Sequence, residues 1–254
     1  MLFGYSAMPA DCEAARKTGY DYVELPAKVI AAMTDKEFST FAGSLQIQAL
    51  RMNAFCPPDV VIAGTGHDIS SIREYTKRLA PRAAALGVKM VGIGSPMSRN
   101  IPKGFCNELA QEQIETSLCE ISYILENQGI AVCLEALATC YCNTVNTLAE
   151  AVGIVRKLQQ PNIHVVLDFY NMEHMGEADI SLLELPFAHV HISDDDGAPN
   201  LRSYLKPEKK EIHQKRLRKL PEKGYDGCIT LEVDVPYDPV RAAESLRIMI
   251  DSLP

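Results

Sequence analysis

The stretch IAVCLEAL at residues 130–137 is a short apolar run that ends in a carboxylate, and it sets the pattern for the chain. A segment with helical period follows at 146–158, and a second apolar run, IHVVLDF, follows at 163–169. Parallel neighbouring strands need a long crossover, which is usually a helix. The stretch therefore predicts two parallel strands with a helix packed outside them.

The same alternation extends in both directions from these two strands. Apolar or β-branched runs that predict the other strands lie at 2–8, 22–25, 47–52, 88–93, 187–193 and 228–233. Helical segments separate them, among them 34–45, 70–86, 107–127, a short one near 180–185 and a last one at 239–253. Eight strand–helix units predict a single closed (β/α)8 TIM barrel, because open doubly wound sheets usually have about five or six strands. We expect one domain over residues 1–254.

Composition excludes several classes of function. The chain has 25 Lys and Arg against 33 Asp and Glu, a net charge of −8, which argues against a nucleic-acid partner. No apolar run reaches the ~20 residues of a membrane span, so we expect no membrane partner. The start, MLFGY at 1–5, lacks the basic and long apolar regions of a signal peptide. The eight cysteines include no C-x-x-C pair, which favours reduced thiols and a cytoplasmic location.

Polar side chains end four consecutive predicted strands: Glu135, Asp168, His191 and Glu232. In a barrel the carboxyl ends of the strands meet at one mouth, where active sites lie. Such a cluster of acidic groups would be strongly repulsive without a cation between them. Three carboxylates and one imidazole suit one divalent metal ion. We expect Mn²⁺, with Mg²⁺, Co²⁺ and Zn²⁺ as alternatives.

Short motifs in a fixed order add to this pattern. They are AARKTGYDYVEL at 14–25, GSP at 94–96, LEAL at 134–137, NTLAEA at 146–151, DFYNM at 168–172, HVH at 189–191 and GYDG at 224–227. Together they resemble the xylose-isomerase-like, AP-endonuclease-2-type barrels. The resemblance is closest to the sugar-phosphate isomerase/epimerase branch, which includes ketose 3-epimerases and hydroxypyruvate isomerase.

The resemblance implies a function for the four strand-end residues. Glu135, Asp168, His191 and Glu232 correspond to the family's metal ligands, and Glu135 and Glu232 also correspond to its catalytic proton-transfer pair. It implies a metal-dependent carbohydrate isomerase or epimerase whose substrate is a small sugar or sugar derivative. The reaction would abstract a proton next to a carbonyl and pass through an enediolate.

Two departures from the family pattern keep other functions open. Asn171 stands where the epimerases commonly have a substrate-binding histidine, and Gly197 stands where they tend to have an arginine. Arg202 and Lys206 are the candidates to replace that arginine. A lyase or dehydratase, or a subunit of a complex that cleaves oxidised glycosides, therefore remains an alternative. A non-catalytic sugar-binding barrel and an AP endonuclease are less favoured, the latter because it needs a histidine-rich zinc site and a basic groove.

Further residues are candidates for contacts around the site. The substrate-binding candidates are Asn171, Glu24, His67, Arg99 and His174. Glu24 ends the second strand and could instead support a ligand, while Arg99 could bind a carboxylate or phosphate with two parallel hydrogen bonds. His189 lies two residues before His191, so it faces the same side of its strand, and we expect it to support the ligands. A homo-oligomer or a partner subunit is left open.

Overall fold

A computed structural model describes residues 1–177 and 187–252 of the chain, and eight parallel strands close into a barrel. The strands are β1 (Leu2–Ser6), β2 (Tyr22–Pro26), β3 (Gln48–Asn53), β4 (Met90–Ile93), β5 (Ala131–Glu135), β6 (Ile163–Asp168), β7 (Phe187–Ile192) and β10 (Cys228–Leu231). Neighbours in this order pair in parallel, and β10 closes the ring against β1. The predicted (β/α)8 barrel is confirmed.

Helices connect the strands outside the barrel. They are α1 (Cys12–Thr18), α2 (Ala27–Ala32), α3 (Asp35–Ser44), α4 (Ile69–Leu86), α5 (Pro96–Arg99), α6 (Asn107–Glu126), α7 (Leu148–Leu158), α8 (Phe169–His174), α9 (Lys210–Glu222) and α10 (Pro239–Ile250). Thr34 and Thr147 begin α3 and α7 with capping boxes, in which the threonine hydroxyl accepts from a backbone N–H and a glutamate reaches back. The short helix predicted near 180–185 lies outside the described residues, as does residue 253. Within the described residues, no helix is long and apolar enough to cross a membrane.

Some elements were not predicted from the sequence, among them the short helices α2, α5 and α8 and a hairpin that follows β7. After β7 the chain forms a small antiparallel hairpin from β8 (Asp194–Asp195) and β9 (Arg202–Ser203). We call residues 194–206 the strap. The Asp194 carboxylate accepts the backbone N–H of Lys206 at 2.7 Å, which ties the two ends of the strap together. The N–H of Asp234 donates to the carbonyl of Arg202 at 3.0 Å, so the strap lies against the chain that follows β10.

The barrel interior changes from apolar to polar along the strands. Met90 of β4, Cys133 of β5 and Val166 of β6 pack together in a small buried apolar cluster. Side chains two residues apart on a strand share a face, so Glu135 and Asp168 project from the same inner face nearer the mouth. The alternation that fills the barrel with apolar side chains thus also places carboxylates at its open end.

Candidate metal centre

The four strand-end residues converge at the mouth of the barrel. Glu135, Asp168, His191 and Glu232 each offer one ligand atom, and these atoms all lie within 4.8 Å of one another. The His191 Nδ1 lies 3.3 Å from Glu135 Oε1, 3.2 Å from Glu232 Oε2 and 3.9 Å from Asp168 Oδ2. The side chains of Glu135, Asp168 and His191 are almost fully buried, and the Glu232 side chain is 15% exposed. The structure therefore brings all four predicted ligands together.

Local structure fixes the two carboxylates of the middle strands. Asp168 begins α8, and its Oδ1 accepts the backbone N–H groups of Tyr170 and Asn171 at 2.8 and 3.1 Å, which leaves Oδ2 to face the cluster. Glu135 fits because residue 94 is glycine: a Cβ there would clash with Glu135 Oε2. Gly94 therefore makes space for the carboxylate. Packing thus explains the second glycine of the sequence GIGS at 92–95.

A buried carboxylate lies on the other side of His191. Glu24 Oε2 is 3.0 Å from His191 Nε2 and 2.9 Å from His189 Nε2, and all three side chains are fully buried. The contacts match the alternative role considered for Glu24, support of a ligand, because its carboxylate binds histidines below the mouth, and its substrate contact stays a prediction. His189 lies next to Glu24, as expected of a supporting residue. A carboxylate on one imidazole nitrogen orients the other nitrogen, here toward the cluster.

A fifth charged group joins the cluster from the strap. The Arg202 guanidinium lies 2.7 Å from Asp168 Oδ2, 2.6 Å from Glu232 Oε2 and 3.5 Å from Glu135 Oε1. Its carbon atom Cζ is 5.0 Å from the ring centre of Tyr170. Of the two candidates to replace the family's arginine, Arg202 is therefore the one that reaches the cluster. Lys206, the other candidate, pairs instead with Asp195.

The charges of this cluster shift one another's pKa values. Burial and the charge of Glu232 raise the pKa of Glu135 to about 8. Burial alone would raise the pKa of Asp168, but the Arg202 guanidinium holds it at about 2. Burial alone would lower the pKa of His191, but the charges of Glu232 and Glu24 raise it well above its usual value. Three carboxylates face one permanently charged cation, Arg202, so the donor set fits a divalent cation.

The remaining candidates lie around the cluster rather than in it. Asn171 is buried: its Oδ1 accepts the N–H of Ala138 at 3.0 Å, and its Nδ2 donates to Asp168 Oδ2 at 2.9 Å and lies 3.5 Å from Glu135 Oε1. This places the amide as a brace between two ligands. His174 is exposed, and its ring packs on Tyr170 with the ring centres 4.4 Å apart.

Two candidates are directed away from the site. Arg99 is fully buried and donates to the carbonyl oxygens of Gly94, Glu135 and Thr144, so its donors are directed to the backbone and its role as a substrate contact stays a prediction. A guanidinium with its donors on backbone carbonyls is not free for an anion. The ring of His67 lies 3.1 Å from Ser117 Oγ, which belongs to α6 in the outer layer of helices.

A cavity of about 300 Å³ opens beside Glu232. Residues of β1, β3 and the chain after β10 line it, among them Tyr5, Ser6, Asn53 and Asp234. Asn53 Nδ2 donates to Glu232 Oε1 at 2.9 Å and to Ser6 Oγ at 2.9 Å. Asn53 was not among the site residues predicted from the sequence. Asn53 lies at the end of β3, just as the four candidate ligands lie at the ends of their strands. This position in the sequence was the signal from which a role at the site could have been predicted.

Known proteins resemble this chain in sequence and in fold. A family model described as xylose isomerase-like TIM barrel matches residues 12–252. An inosose isomerase of Halalkalibacterium halodurans is 26% identical over 268 residues, which cover 97% of this chain and 90% of that protein. An inosose isomerase of Bacillus subtilis is 29% identical over 209 residues, which cover 76% and 70%.

Solved structures share the fold at low sequence identity. D-psicose 3-epimerase in the presence of D-fructose superposes with a TM-score of 0.77 at 16% identity, covering 99% of this chain and 97% of that one. The IOLI protein with a bound zinc atom superposes with a TM-score of 0.71 at 20% identity, covering 99% and 96%. These similarities extend over nearly the whole chain.

Proposed function

This chain belongs to the xylose isomerase-like TIM barrel family, and on that premise we propose that it is a divalent-metal-dependent isomerase or epimerase of a sugar or sugar derivative. The observation that carries the proposal is the convergence of Glu135, Asp168, His191 and Glu232 beside an open cavity. The names of the inosose isomerases support a polyhydroxylated ketone as the substrate class.

Four residues would hold the metal: Glu135, Asp168, His191 and Glu232. Three hard carboxylate oxygens with one imidazole nitrogen favour Mn²⁺ in our proposal, and the zinc atom of the similar IOLI protein makes Zn²⁺ the first alternative. A divalent ion there would polarise a substrate carbonyl and make the adjacent C–H bond more acidic. Glu24 and Asn171 would keep His191, Asp168 and Glu135 in position.

Two glutamates would move the proton. Burial alone would raise the pKa of Glu232, but Arg202 and His191 lower it, so Glu232 is ionised and borders the cavity as the base. Burial and the charge of Glu232 raise the pKa of Glu135, so Glu135 is the more easily protonated of the two glutamates and would return the proton. Two carboxyl groups with separated pKa values are a common arrangement for acid–base catalysis. Return to the opposite face of the same carbon gives epimerisation, and return to the neighbouring carbon gives isomerisation.

Solvent exchange tests the proposal. The protein and Mn²⁺ are incubated in deuterium oxide with one ketone at a time: an inosose, D-psicose or D-fructose. Incorporation of deuterium at carbon is followed by NMR. We expect exchange and product formation with at least one ketone, and loss of both when a chelator removes the metal. In Glu135→Gln and Glu232→Gln the rate should fall by a factor of about 10²–10⁴, because each loses one proton carrier.

A matched variant controls for the change of charge. Glu112→Gln removes an exposed carboxylate on α6 and should exchange at the rate of the unmodified protein. The proposal is wrong if no ketone exchanges its C–H proton, or if Glu135→Gln exchanges as fast as Glu112→Gln.

A further inference from the structure

The Arg202 guanidinium and the ligand nitrogen of His191 share one set of oxygen atoms. Asp168 Oδ2, Glu232 Oε2 and Glu135 Oε1 lie 2.7, 2.6 and 3.5 Å from the guanidinium. The same three oxygens lie 3.9, 3.2 and 3.3 Å from His191 Nδ1. Since these are the oxygens that would bind a metal ion, the protein has its own cation at the same three groups.

The position of Arg202 is held by its surroundings. The residue is 4% exposed, and its guanidinium lies over the rings of Tyr170 and Tyr141, with Cζ 5.0 and 5.7 Å from their centres. Its backbone carbonyl accepts the N–H of Asp234, and β9 pairs with β8. These contacts enclose the guanidinium and place it against the carboxylates.

The charges of the cluster show what this cation does. Glu135, Asp168 and Glu232 carry three negative charges when ionised, and Arg202 carries one permanent positive charge. A divalent ion together with Arg202 therefore balances the charges of these three carboxylates. Without Arg202 the cluster keeps one unbalanced negative charge, and it attracts a cation more strongly because the site is buried.

We propose that Arg202 sets the affinity of the centre for its metal ion: it shares the ligand oxygens, holds divalent-ion affinity down and, together with the bound ion, balances the three carboxylate charges. The inference rests on the metal site of the proposed function. It assigns Arg202 a role toward the metal rather than toward the substrate. The property that it predicts is an equilibrium constant, which is measured without turnover.

The test compares the dissociation constant of Mn²⁺ between the unmodified protein and variants of Arg202. It is measured at pH 7.5 from the electron paramagnetic resonance signal of free Mn²⁺. Arg202→Gln keeps hydrogen-bonding groups without the charge, and Arg202→Met removes both. We expect each to bind Mn²⁺ at least about tenfold more tightly than the unmodified protein. Arg202→Lys keeps the charge and is the matched control, with a dissociation constant within about threefold of the unmodified value. Two neutral variants are used so that misfolding of one, detected by circular dichroism, leaves the other.

The outcomes separate this inference from the proposed function. Equal or weaker Mn²⁺ binding in Arg202→Gln or Arg202→Met overturns the inference and leaves the catalytic proposal standing. Tighter binding without any deuterium exchange supports the inference and overturns the proposed reaction. Unchanged Mn²⁺ binding in Asp168→Asn would show that the ion binds elsewhere and would overturn both.

Discussion

Two buried arginines approach Glu135, and they bind different parts of it. Arg99 donates to the backbone carbonyl of Glu135 at 2.6 Å, and to the carbonyls of Gly94 and Thr144 at 2.7 and 3.2 Å. Arg202 lies against the Glu135 side chain and forms ion pairs with Asp168 and Glu232. Both are almost fully buried, so their difference lies in their partners.

The partners decide what each guanidinium does. Burial lowers the pKa of Arg99, and its nearby charges do not reverse that effect. Burial would also lower the pKa of Arg202, but the charges of Asp168, Glu232 and Glu135 raise it well above its usual value. Arg99 therefore holds together the ends of β4 and β5, whereas Arg202 controls the charge of the cluster. Burial alone does not distinguish a structural arginine from one that acts on the site.

The largest expected effect is on stability, at Arg99. Arg99→Met leaves three backbone carbonyls without their donor, and each unsatisfied buried group costs roughly 1–3 kcal/mol. We expect the free energy of unfolding to fall by about 4 kcal/mol, measured by urea denaturation. Arg99→Lys should recover only part of this loss, because an ammonium lacks the planar fork that reaches several acceptors. A loss below about 1 kcal/mol in Arg99→Met would remove the distinction between the two arginines.

The sequence predicted those parts of the site that depend on strand alternation. Glu135 follows Cys133, and Asp168 follows Val166, by the step of two that keeps side chains on one face. Given a barrel, that step alone brings the strand-end residues to the mouth. The same rule places Asn53 at the end of β3, although its bond to Glu232 becomes visible only in three dimensions.

The two arginines could not be placed in this way. Arg99 reaches Thr144, 45 residues further along the chain, so its direction depends on how two loops meet. Arg202 lies on a strand of two residues, which is too short to show a periodic pattern. Whether a loop arginine is exposed, bonded to backbone or paired with carboxylates is therefore decided by tertiary packing.

A second prediction concerns the support of Arg202. Asp194 is buried at the start of the strap, and its Oδ2 accepts the N–H of Lys206 and lies 2.8 Å from His213 Nε2. Burial alone would raise the pKa of Asp194, but these bonds, with Lys209 nearby, hold it at about 2. Its ordinary value is 3.8, so the ionised carboxylate stabilises the fold by about 2 kcal/mol at neutral pH. Asp194→Asn should lose about that much.

The stabilisation by the Asp194 carboxylate should depend on pH. A depressed pKa in the folded state means that the stabilisation is fully present above about pH 4 and is lost as the pH falls toward 2. The difference between the unmodified protein and Asp194→Asn, from urea denaturation, should therefore be constant from pH 7 to about 5 and fall to about half near pH 3. A difference that stays constant down to pH 3 would contradict the assignment to the Asp194 carboxylate.

The smallest expected effect is at the exposed part of the strap, two residues further along. Asp196 pairs with Arg241 at 3.4 Å, and the two side chains are 44% and 38% exposed. Exposed ion pairs are worth between zero and about 1 kcal/mol because solvent screens them. We expect Asp196→Asn to change the free energy of unfolding by less than about 0.5 kcal/mol, and the change to disappear in high salt. Since this variant makes the same chemical change as Asp194→Asn in the same segment, an equal loss from both would mean that the exposed tip of the strap stabilises the fold as much as its buried base does.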